Sequence, residues 1–373
     1  MAEKSAFHDP AFYSGRLIVH SGDHKTGTTS IQERLARGEV RLAEGQLAYP
    51  LGKGQFNHNH LLRPKRANRL ALPRSVPLDD AFARFAARTL RQGATVTVLS
   101  AERLESTRPE DLAAALRRHL PTGPGQLTVV SYIRPHIPRL ISNLGEHIKI
   151  GWSSDTPWRG VMVRAWQRHR YARRIAAWGK VFGPSYVVRP AIRAELAGGD
   201  SLEDLMTTVL GPGRFTAARG RPSNESLGVE DLMRLHVIHR ALAGLDRWQH
   251  HDLGWMLSEQ IDTLRPAGGP STPLRPHKRL AERMRRGFRA DARAVDAARF
   301  GGRPLLADAL DQAVDTAQPE RVPLDPTAWL DAGEIATLRE RAREFGEAVS
   351  QPDWKRNWKE ERRRHILGRA PSV

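Results

Sequence analysis

The stretch that most constrains the fold is residues 16–32, which read RLIVHSGDHKTGTTSIQ. An apolar run at residues 17–19 leads into a segment with two glycines, and Ile31 and Leu35 follow one helical turn apart. This order predicts a strand, a tight loop and a helix. Glycine permits backbone torsions and close approaches that a Cβ forbids, and such a loop directs N–H groups toward the helix start, where anions bind. The stretch therefore predicts a phosphate-binding loop.

The loop is not a Walker A motif, in which Gly-Lys-Ser/Thr follows four residues after the first glycine. Here Lys25 precedes the second glycine, Gly27. The alternative interpretation is a turn that merely joins a strand to a helix. Lys25 lies between two glycines and ahead of paired threonines, where packing gives no reason for a lysine, so phosphate binding is favoured.

The order Lys-Thr-Gly-Thr-Thr at residues 25–29 resembles the 5′-phosphosulfate loop of the sulfotransferases that use 3′-phosphoadenosine 5′-phosphosulfate (PAPS), and HKTGTTSIQ looks like their bacterial members. The resemblance implies an α/β fold with a P-loop-like core, and PAPS as the sulfuryl donor. It also implies that Lys25 stabilises charge on the bridging oxygen. The loop residues that it assigns to cofactor binding are His24, Lys25, Thr26, Gly27, Thr28 and Thr29.

A second motif follows the apolar run LTVVSYI at residues 127–133. Arg134 closes this predicted strand, and Ser142 stands eight residues later, within the first two turns of a helix predicted from about Ile137 to Ile148. The spacing resembles the 3′-phosphate motif of the same sulfotransferases. In this chain Pro135 follows the arginine directly, whereas the family places one residue between them.

Transfer to a hydroxyl needs a general base. Glu102 follows the predicted strand at residues 96–99, at the edge where sites of doubly wound sheets lie, and we expect it to be the base. His60 and His58 are rivals and His24 is a further possibility, while an ion pair with one of the many arginines is the alternative role for Glu102. No spacing of carboxylates or histidines indicates a metal site.

The composition is compatible with polyanionic partners but does not indicate which of them binds. Lys and Arg number 59 against 41 Asp and Glu, a formal net charge of +18. This field attracts nucleotides, acidic glycans and anionic lipid surfaces, but no nucleic-acid motif is present, and nucleic acid is not an expected partner. The sequence contains no cysteine, which favours a reducing compartment. It also contains no run of about 20 apolar residues, so we expect a chain without a transmembrane segment, in the cytoplasm.

The rest of the chain predicts further strands alternating with helices up to about residue 225, and helices thereafter. We therefore expect an α/β core over residues 1–225 and a helical C-terminal part over 226–373, packed on the core. Predicted elements include a short strand at residues 45–50, a helix from Asp79 or Asp80, a helix over 111–120, a long arginine-rich helix over 158–178, a strand at 186–190, a helix starting at 201–204 and a loop over 211–226.

The function expected from these motifs is sulfuryl transfer from PAPS to a hydroxyl of a glycan, a lipid headgroup or a small metabolite. The arginines of residues 164–174 and the loop from Arg219 to Ser226 are candidates for an anionic acceptor's cleft, with plain surface arginine as the alternative. One alternative function is a P-loop nucleotide kinase, disfavoured by the position of Lys25 and by the lack of a Walker B acid. Another is a basic protein that binds nucleic acid or an anionic surface.

Overall fold

The architecture comes from a computed structural model, which describes residues 13–23, 26–52, 55–62, 79–151, 169–218, 226–266 and 269–367. Its contacts group into two compact units. The first unit draws on residues 1–134, 173–221 and 366–373, and the second on residues 135–172 and 222–365. Residues 135–172 therefore group with the C-terminal helices, although the sequence division assigned them to the core. The domain boundary near residue 225 stays a prediction.

The first unit is built on a parallel sheet. The strands are β1 (Arg16–Gly22), β2 (Val40–Leu42), β3 (Leu47–Ala48), β4 (Val96–Ser100), β5 (Leu127–Ile133), β6 (Tyr186–Pro190) and β7 (Phe215–Ala217). Five of them form one sheet in the order β3-β4-β1-β5-β6, with every neighbouring pair parallel. The predicted α/β class with a parallel sheet is confirmed. The stretch predicted to bind phosphate begins on the central strand, β1.

Twelve α-helices lie in the described part of the chain. They are α1 (Thr28–Ala36), α2 (Asp79–Gln92), α3 (Pro109–His119), α4 (His136–Lys149), α5 (Tyr171–Phe182), α6 (Ser201–Leu210), α7 (Val229–Ala241), α8 (Arg247–Glu259), α9 (Lys278–Arg299), α10 (Leu305–Asp315), α11 (Ala332–Ser350) and α12 (Trp354–Leu367). None of these helices is long and apolar enough to cross a membrane.

The core of the first unit forms where α1 and α6 pack on the sheet. Both faces of the central strands are covered, which explains why their sequences are continuous apolar runs instead of alternating ones. Ile31 and Leu35, which predicted the helix after the loop, are buried. They share a cluster with residues of three strands and of α6: Ile18, Val98, Val130, Leu202, Leu205 and Met206.

The second unit is helical, as predicted for the C-terminal part. The predicted apolar face of α9 is buried along its whole length, at Leu280, Met284, Phe288, Ala292 and Val295. The face of α11 joins a core with residues of α4, α7 and α8. Leu338 and Ala342 are among its most buried members.

Two short strands correct the prediction. The segment at residues 45–50 is extended only at Leu47–Ala48, and β7 lies inside the stretch predicted as a loop over 211–226. β7 pairs antiparallel with β2, and its side chains are half-buried or exposed. A strand as short as β7 carries too few residues for an apolar period, so the sequence does not indicate it.

The long helix predicted over residues 158–178 is also corrected. Residues 152–168 lie outside the described residues, and His169 and Arg170 are not helical. Helix α5 begins at Tyr171 because a carboxylate of α9 caps it. Asp291 accepts hydrogen bonds from the Tyr171 N–H (2.8 Å) and the Ala172 N–H (3.1 Å). The cap comes from 120 residues away, so local sequence cannot indicate where this helix starts.

Candidate phosphate-binding site

The phosphate loop, residues 22–29, lies at the carboxyl end of the central strand β1. This is the edge where ligands bind in doubly wound sheets. Hydrogen bonds tie the loop to β5, since the Asp23 N–H donates to the Tyr132 carbonyl (3.1 Å). His24 and Lys25, two of the predicted site residues, lie outside the described residues. The described part of the loop is Gly22, Asp23 and Thr26–Thr29.

Gly22 is a position where only glycine fits. A Cβ added there would overlap Thr28 Oγ1, and it would lie 3.0 Å from Thr26 Oγ1 and 3.1 Å from His20 Nε2. Three polar atoms therefore converge on the space that Gly22 leaves open. The sequence indicated a close approach at this glycine, but it did not indicate which side chains make it.

Gly27 caps α1 with a left-handed backbone, at φ +86°. This conformation disfavours residues with a Cβ, and a Cβ here would also lie 2.8 Å from Ser201 Oγ. Within the described part of the chain no side chain caps the helix, and its first internal hydrogen bond runs from the Ile31 N–H to the Gly27 carbonyl (3.2 Å). The N–H groups ahead of it, of which the first is that of Thr28, point along the positive end of the helix dipole. They form a ready site for an anion.

The three predicted threonines differ in their surroundings. Thr26 is buried, and its hydroxyl donates to the Asp23 carbonyl (2.7 Å), which closes the loop. Thr28 is also buried, with its hydroxyl 3.3 Å from that of Thr26. Thr29 is half-buried at the helix start. Thr26 thus shapes the loop, whereas the Thr28 hydroxyl makes only a long contact with another hydroxyl among the residues that the structure describes.

An ion-pair chain holds the loop from α5. Asp23 is 1% exposed, and Arg174 donates to its carboxylate at 2.7 Å. Arg174 also pairs with Glu105 at 3.1 Å. Glu105 belongs to the short 3₁₀ turn Glu102–Ser106 that follows β4. The chain therefore links the phosphate loop to the turn that carries the predicted base, a role that the sequence did not indicate for Arg174.

A polar cluster beneath the loop was also missed by sequence reasoning. His20, Ser100 and Gln32, from β1, β4 and α1, are each at most 3% exposed. His20 Nδ1 lies 2.8 Å from Ser100 Oγ, and the Gln32 amide donates to the same oxygen at 3.1 Å. Burial lowers the pKa of His20 to about 3, so the imidazole is neutral. The only signal available in the sequence was a histidine inside an apolar strand.

The base candidates fall on two turns that touch. Glu102 is half-buried at the start of its 3₁₀ turn. His60 lies in the turn Asn59–Leu62 and has Nδ1 3.2 Å from the Asn57 carbonyl. The Arg103 N–H donates to the Asn59 side chain (3.0 Å), which joins the two turns. The role of Glu102 or His60 as the general base therefore stays a prediction.

His58 is poorly placed to act as a base. It is fully buried, with Nδ1 accepting from the Ser100 N–H (3.1 Å) and Nε2 3.2 Å from the Pro50 carbonyl. Burial is the main cause that lowers its pKa to about 3; the charges of His60 and Arg88 act in the same direction, and the backbone contacts with Pro50 and Ser100 act against it. Both ring nitrogens are thus engaged with backbone, which suits a structural role.

The two residues of the second motif lie where the sequence predicts. Arg134 follows β5 directly and is half-buried, and α4 begins two residues later at His136. Ser142 is the seventh residue of α4, within its first two turns, and is half-buried. Arg134 belongs to the first unit and Ser142 to the second. Their common role toward one phosphate stays a prediction.

Within the described ranges, no three His, Asp or Glu side chains lie close enough together to hold a metal ion. The expectation of a metal-free site stays a prediction. In comparisons with known proteins, no protein family, curated protein or solved structure was found that matches this chain.

Proposed function

We propose that this chain is a PAPS-dependent sulfotransferase that moves a sulfuryl group to a hydroxyl acceptor. The observation that carries the proposal is the phosphate loop itself. At the carboxyl end of the central strand, a helix begins without a side-chain cap behind a left-handed Gly27, and the loop sequence has its lysine before that glycine. The loop geometry supports an anion site, and the residue order favours a phosphosulfate over the β- and γ-phosphates of a nucleoside triphosphate.

The described residues fit the anionic end of such a donor. The N–H groups at the start of α1 would hold its 5′-phosphate, with the Thr28 hydroxyl beside them. Arg134 and Ser142 would hold the 3′-phosphate, to which a guanidinium offers a fork of donors. At Gly22 an added Cβ would overlap the Thr28 hydroxyl, so glycine lets that hydroxyl lie close to the loop backbone.

PAPS supplies the sulfuryl group, which would pass in line to the acceptor oxygen. Such transfers need positioning and stabilisation of the charge that develops on the leaving oxygen. Lys25 would supply that stabilisation. The Asp23–Arg174–Glu105 chain would keep the loop and the turn of Glu102 in a fixed relation, because its two ion pairs join them.

Glu102 is proposed to take the proton of the acceptor hydroxyl, with His60 as its rival. The acceptor belongs to the class of hydroxyl-bearing glycans, lipid headgroups or small metabolites. A net charge of +18 supports an acceptor that itself carries a carboxylate, phosphate or sulfate.

The test compares ligands and variants in one binding series. Adenosine 3′,5′-bisphosphate at 100 times its dissociation constant should raise the free energy of unfolding by about 2.7 kcal/mol, whereas AMP and ATP with magnesium should stabilise much less. Arg134→Ala should weaken binding of the bisphosphate by about 1.5–3 kcal/mol per lost hydrogen bond, because these bonds go to a charged group. Binding of AMP should change little.

Arg117→Ala, which removes an exposed arginine of α3, is the matched control and should leave both affinities unchanged. Stronger stabilisation by ATP would favour a kinase instead. Lys25→Ala should keep bisphosphate binding but lose roughly 10²–10³-fold in sulfuryl transfer from labelled PAPS, measured with a panel of anionic and neutral hydroxyl acceptors. Full transfer by that variant would remove Lys25 from the reaction.

A further inference from the structure

The His20 imidazole has a ring nitrogen, Nε2, that has no role in the proposed function. His20 is fully buried on β1, and its Nδ1 contacts Ser100. Its other ring nitrogen, Nε2, is buried and has no hydrogen-bond partner among the described residues. A buried polar atom left in this way costs free energy, so native proteins keep few of them, and often at functional positions.

Nε2 is directed at the phosphate loop. It lies 3.1 Å from the point where a Gly22 Cβ would stand, and the Thr26 and Thr28 hydroxyls approach the same point. The start of α1, with its uncapped N–H groups, follows directly at Thr28. Two independent features, a helix N-terminus and a fully buried imidazole edge, therefore meet at one place in the loop.

The ring is held in this orientation from two sides. Ser100 Oγ accepts from the Gln32 amide (3.1 Å) and keeps its own proton to donate. Two acceptors are available to that proton, His20 Nδ1 at 2.8 Å and the Tyr49 hydroxyl, which itself donates to the Phe56 carbonyl. When Ser100 donates to Nδ1, a neutral imidazole carries its proton on Nε2. The edge that faces the loop is then a donor.

We propose that His20 is a buried donor of the anion site: Ser100 and Gln32 fix the imidazole so that Nε2–H donates to an anionic oxygen bound in the phosphate loop. In this arrangement Gln32 donates to Ser100, Ser100 donates to His20 and His20 donates to the ligand, so every donor points toward the ligand. Such aligned hydrogen bonds polarise one another in a medium of low dielectric. The low pKa of His20, caused by burial, keeps the ring neutral and thus keeps one nitrogen able to act as a fixed donor. The inference rests on the proposed function only for the identity of the ligand.

Two variants separate the ring nitrogens. His20→Gln places an amide nitrogen, a donor, near the position of Nε2, whereas His20→Asn places its amide oxygen near Nδ1, where it accepts from Ser100, so that the Ser100 contact is kept and the loop contact is lost. By titration calorimetry, His20→Asn should bind adenosine 3′,5′-bisphosphate roughly 10- to 100-fold more weakly than the wild type, the loss expected for a hydrogen bond to a charged group. His20→Gln should stay within about threefold, a difference near 0.6 kcal/mol.

Inorganic pyrophosphate, titrated in parallel, distinguishes failure of the inference from failure of the proposed function. Equal bisphosphate affinity in all three proteins overturns the inference and leaves the function intact. Binding of pyrophosphate without the bisphosphate, with the same order of variants, upholds the inference and overturns the function. Binding of neither ligand by the wild type overturns both.

Two further measurements guard against indirect effects. The loss in His20→Asn should have the same size in a Lys25→Ala background. A loss that disappears there would mean that Nε2 acts on Lys25 and not on the ligand, which overturns the inference. In the wild-type complex, ¹⁵N NMR of the histidines needs no variant to fold, and it should show the proton of His20 on Nε2. A proton on Nδ1 in that complex contradicts the proposal.

Discussion

Helices α1 and α6 begin next to each other in the first unit and satisfy their N-terminal ends in opposite ways. At α6, Asp200 accepts from the Leu202 N–H (3.0 Å) and the Glu203 N–H (2.9 Å). At α1, the cap is Gly27, which has no side chain to offer. Ser201, the first residue of α6, lies 2.8 Å from where a Gly27 Cβ would stand, so the two ends share one neighbourhood.

The difference separates a helix start that is satisfied from within the chain from one that we propose as a binding site. Both ends carry the same positive dipole and the same set of N–H groups that lack a partner within the helix. Asp200 neutralises its end from within the chain, and Arg34 of α1 donates to both of its oxygens at 2.8 Å. The α1 end meets a glycine and a neutral buried imidazole instead. Among the described residues, no side chain caps the N–H groups at the start of α1, which supports the anion site proposed there.

The largest expected effect comes from removing the internal anion. Asp200→Ala deletes the cap and leaves Arg34, whose side chain is 3% exposed, without its two-oxygen partner. We expect a loss of about 3 kcal/mol in the free energy of unfolding, because a buried charge loses its pair in addition to the cap. Urea unfolding followed by circular dichroism measures it.

Asp246→Ala is the matched control for that variant. Asp246 caps α8 through the Trp248 and Gln249 N–H groups without a buried arginine behind it, so its loss should cost only about 1 kcal/mol. Similar losses in the two variants would mean that Arg34 finds sufficient partners in Glu39 and the Ala218 carbonyl, which it also contacts. The contrast drawn between the two helix ends would then weaken.

The next effect concerns the space at Gly22. Gly22→Ala places a methyl group where Thr28 Oγ1 already stands, so Thr28 or the loop backbone has to move. Overpacking of this kind costs about 1–3 kcal/mol, and it should also abolish anion binding at α1 while leaving the α6 end unchanged. Hydrogen exchange of peptides covering β1 and α1, compared with those covering α6, measures the local loss of stability. The same experiment with pyrophosphate added measures the loss of anion binding. Unchanged exchange and affinity would contradict the tight fit.

The smallest expected effect is the pH dependence of the free energy of unfolding that two buried, neutral histidines, His20 and His58, contribute. Burial lowers the folded-state pKa of His20 and of His58 to about 3, from an ordinary value near 6.5. Below pH 6.5 the unfolded chain binds protons that the folded chain refuses, so stability present above that pH falls progressively toward pH 3. At pH 5.5 each histidine should cost about 1.4 kcal/mol.

The pH prediction is checked by urea unfolding at pH 7.5 and 5.5. His20→Gln should reduce the difference between the two pH values by about 1.4 kcal/mol, since it removes one of the histidines whose pKa is lowered by burial. The contributions of the others, such as His58 and His239, should stay in the variant. An identical difference in the variant would show that His20 is not held neutral.

The local character of the phosphate loop made it predictable. An apolar run, two glycines and a helical period lie within residues 16–32, and each acts through backbone torsions or burial of its own side chains. For the same reason the strand Leu127–Ile133 and the buried face of α9 follow from the sequence alone. Apolar period and glycine content are properties that a short window contains.

The polar partners were decided only by the tertiary structure. Ser100 meets His20 across 80 residues, Arg174 meets Asp23 across 151, and Asp291 sets the start of α5 from 120 residues away. A hydrogen bond or ion pair is specific in geometry but not in sequence, and in a chain with 59 Lys and Arg many cations could have paired with Asp23. The sequence therefore determined the strand, the glycines and the helix start at which we propose that an anion binds, and the packing of distant elements decided which side chains surround that place.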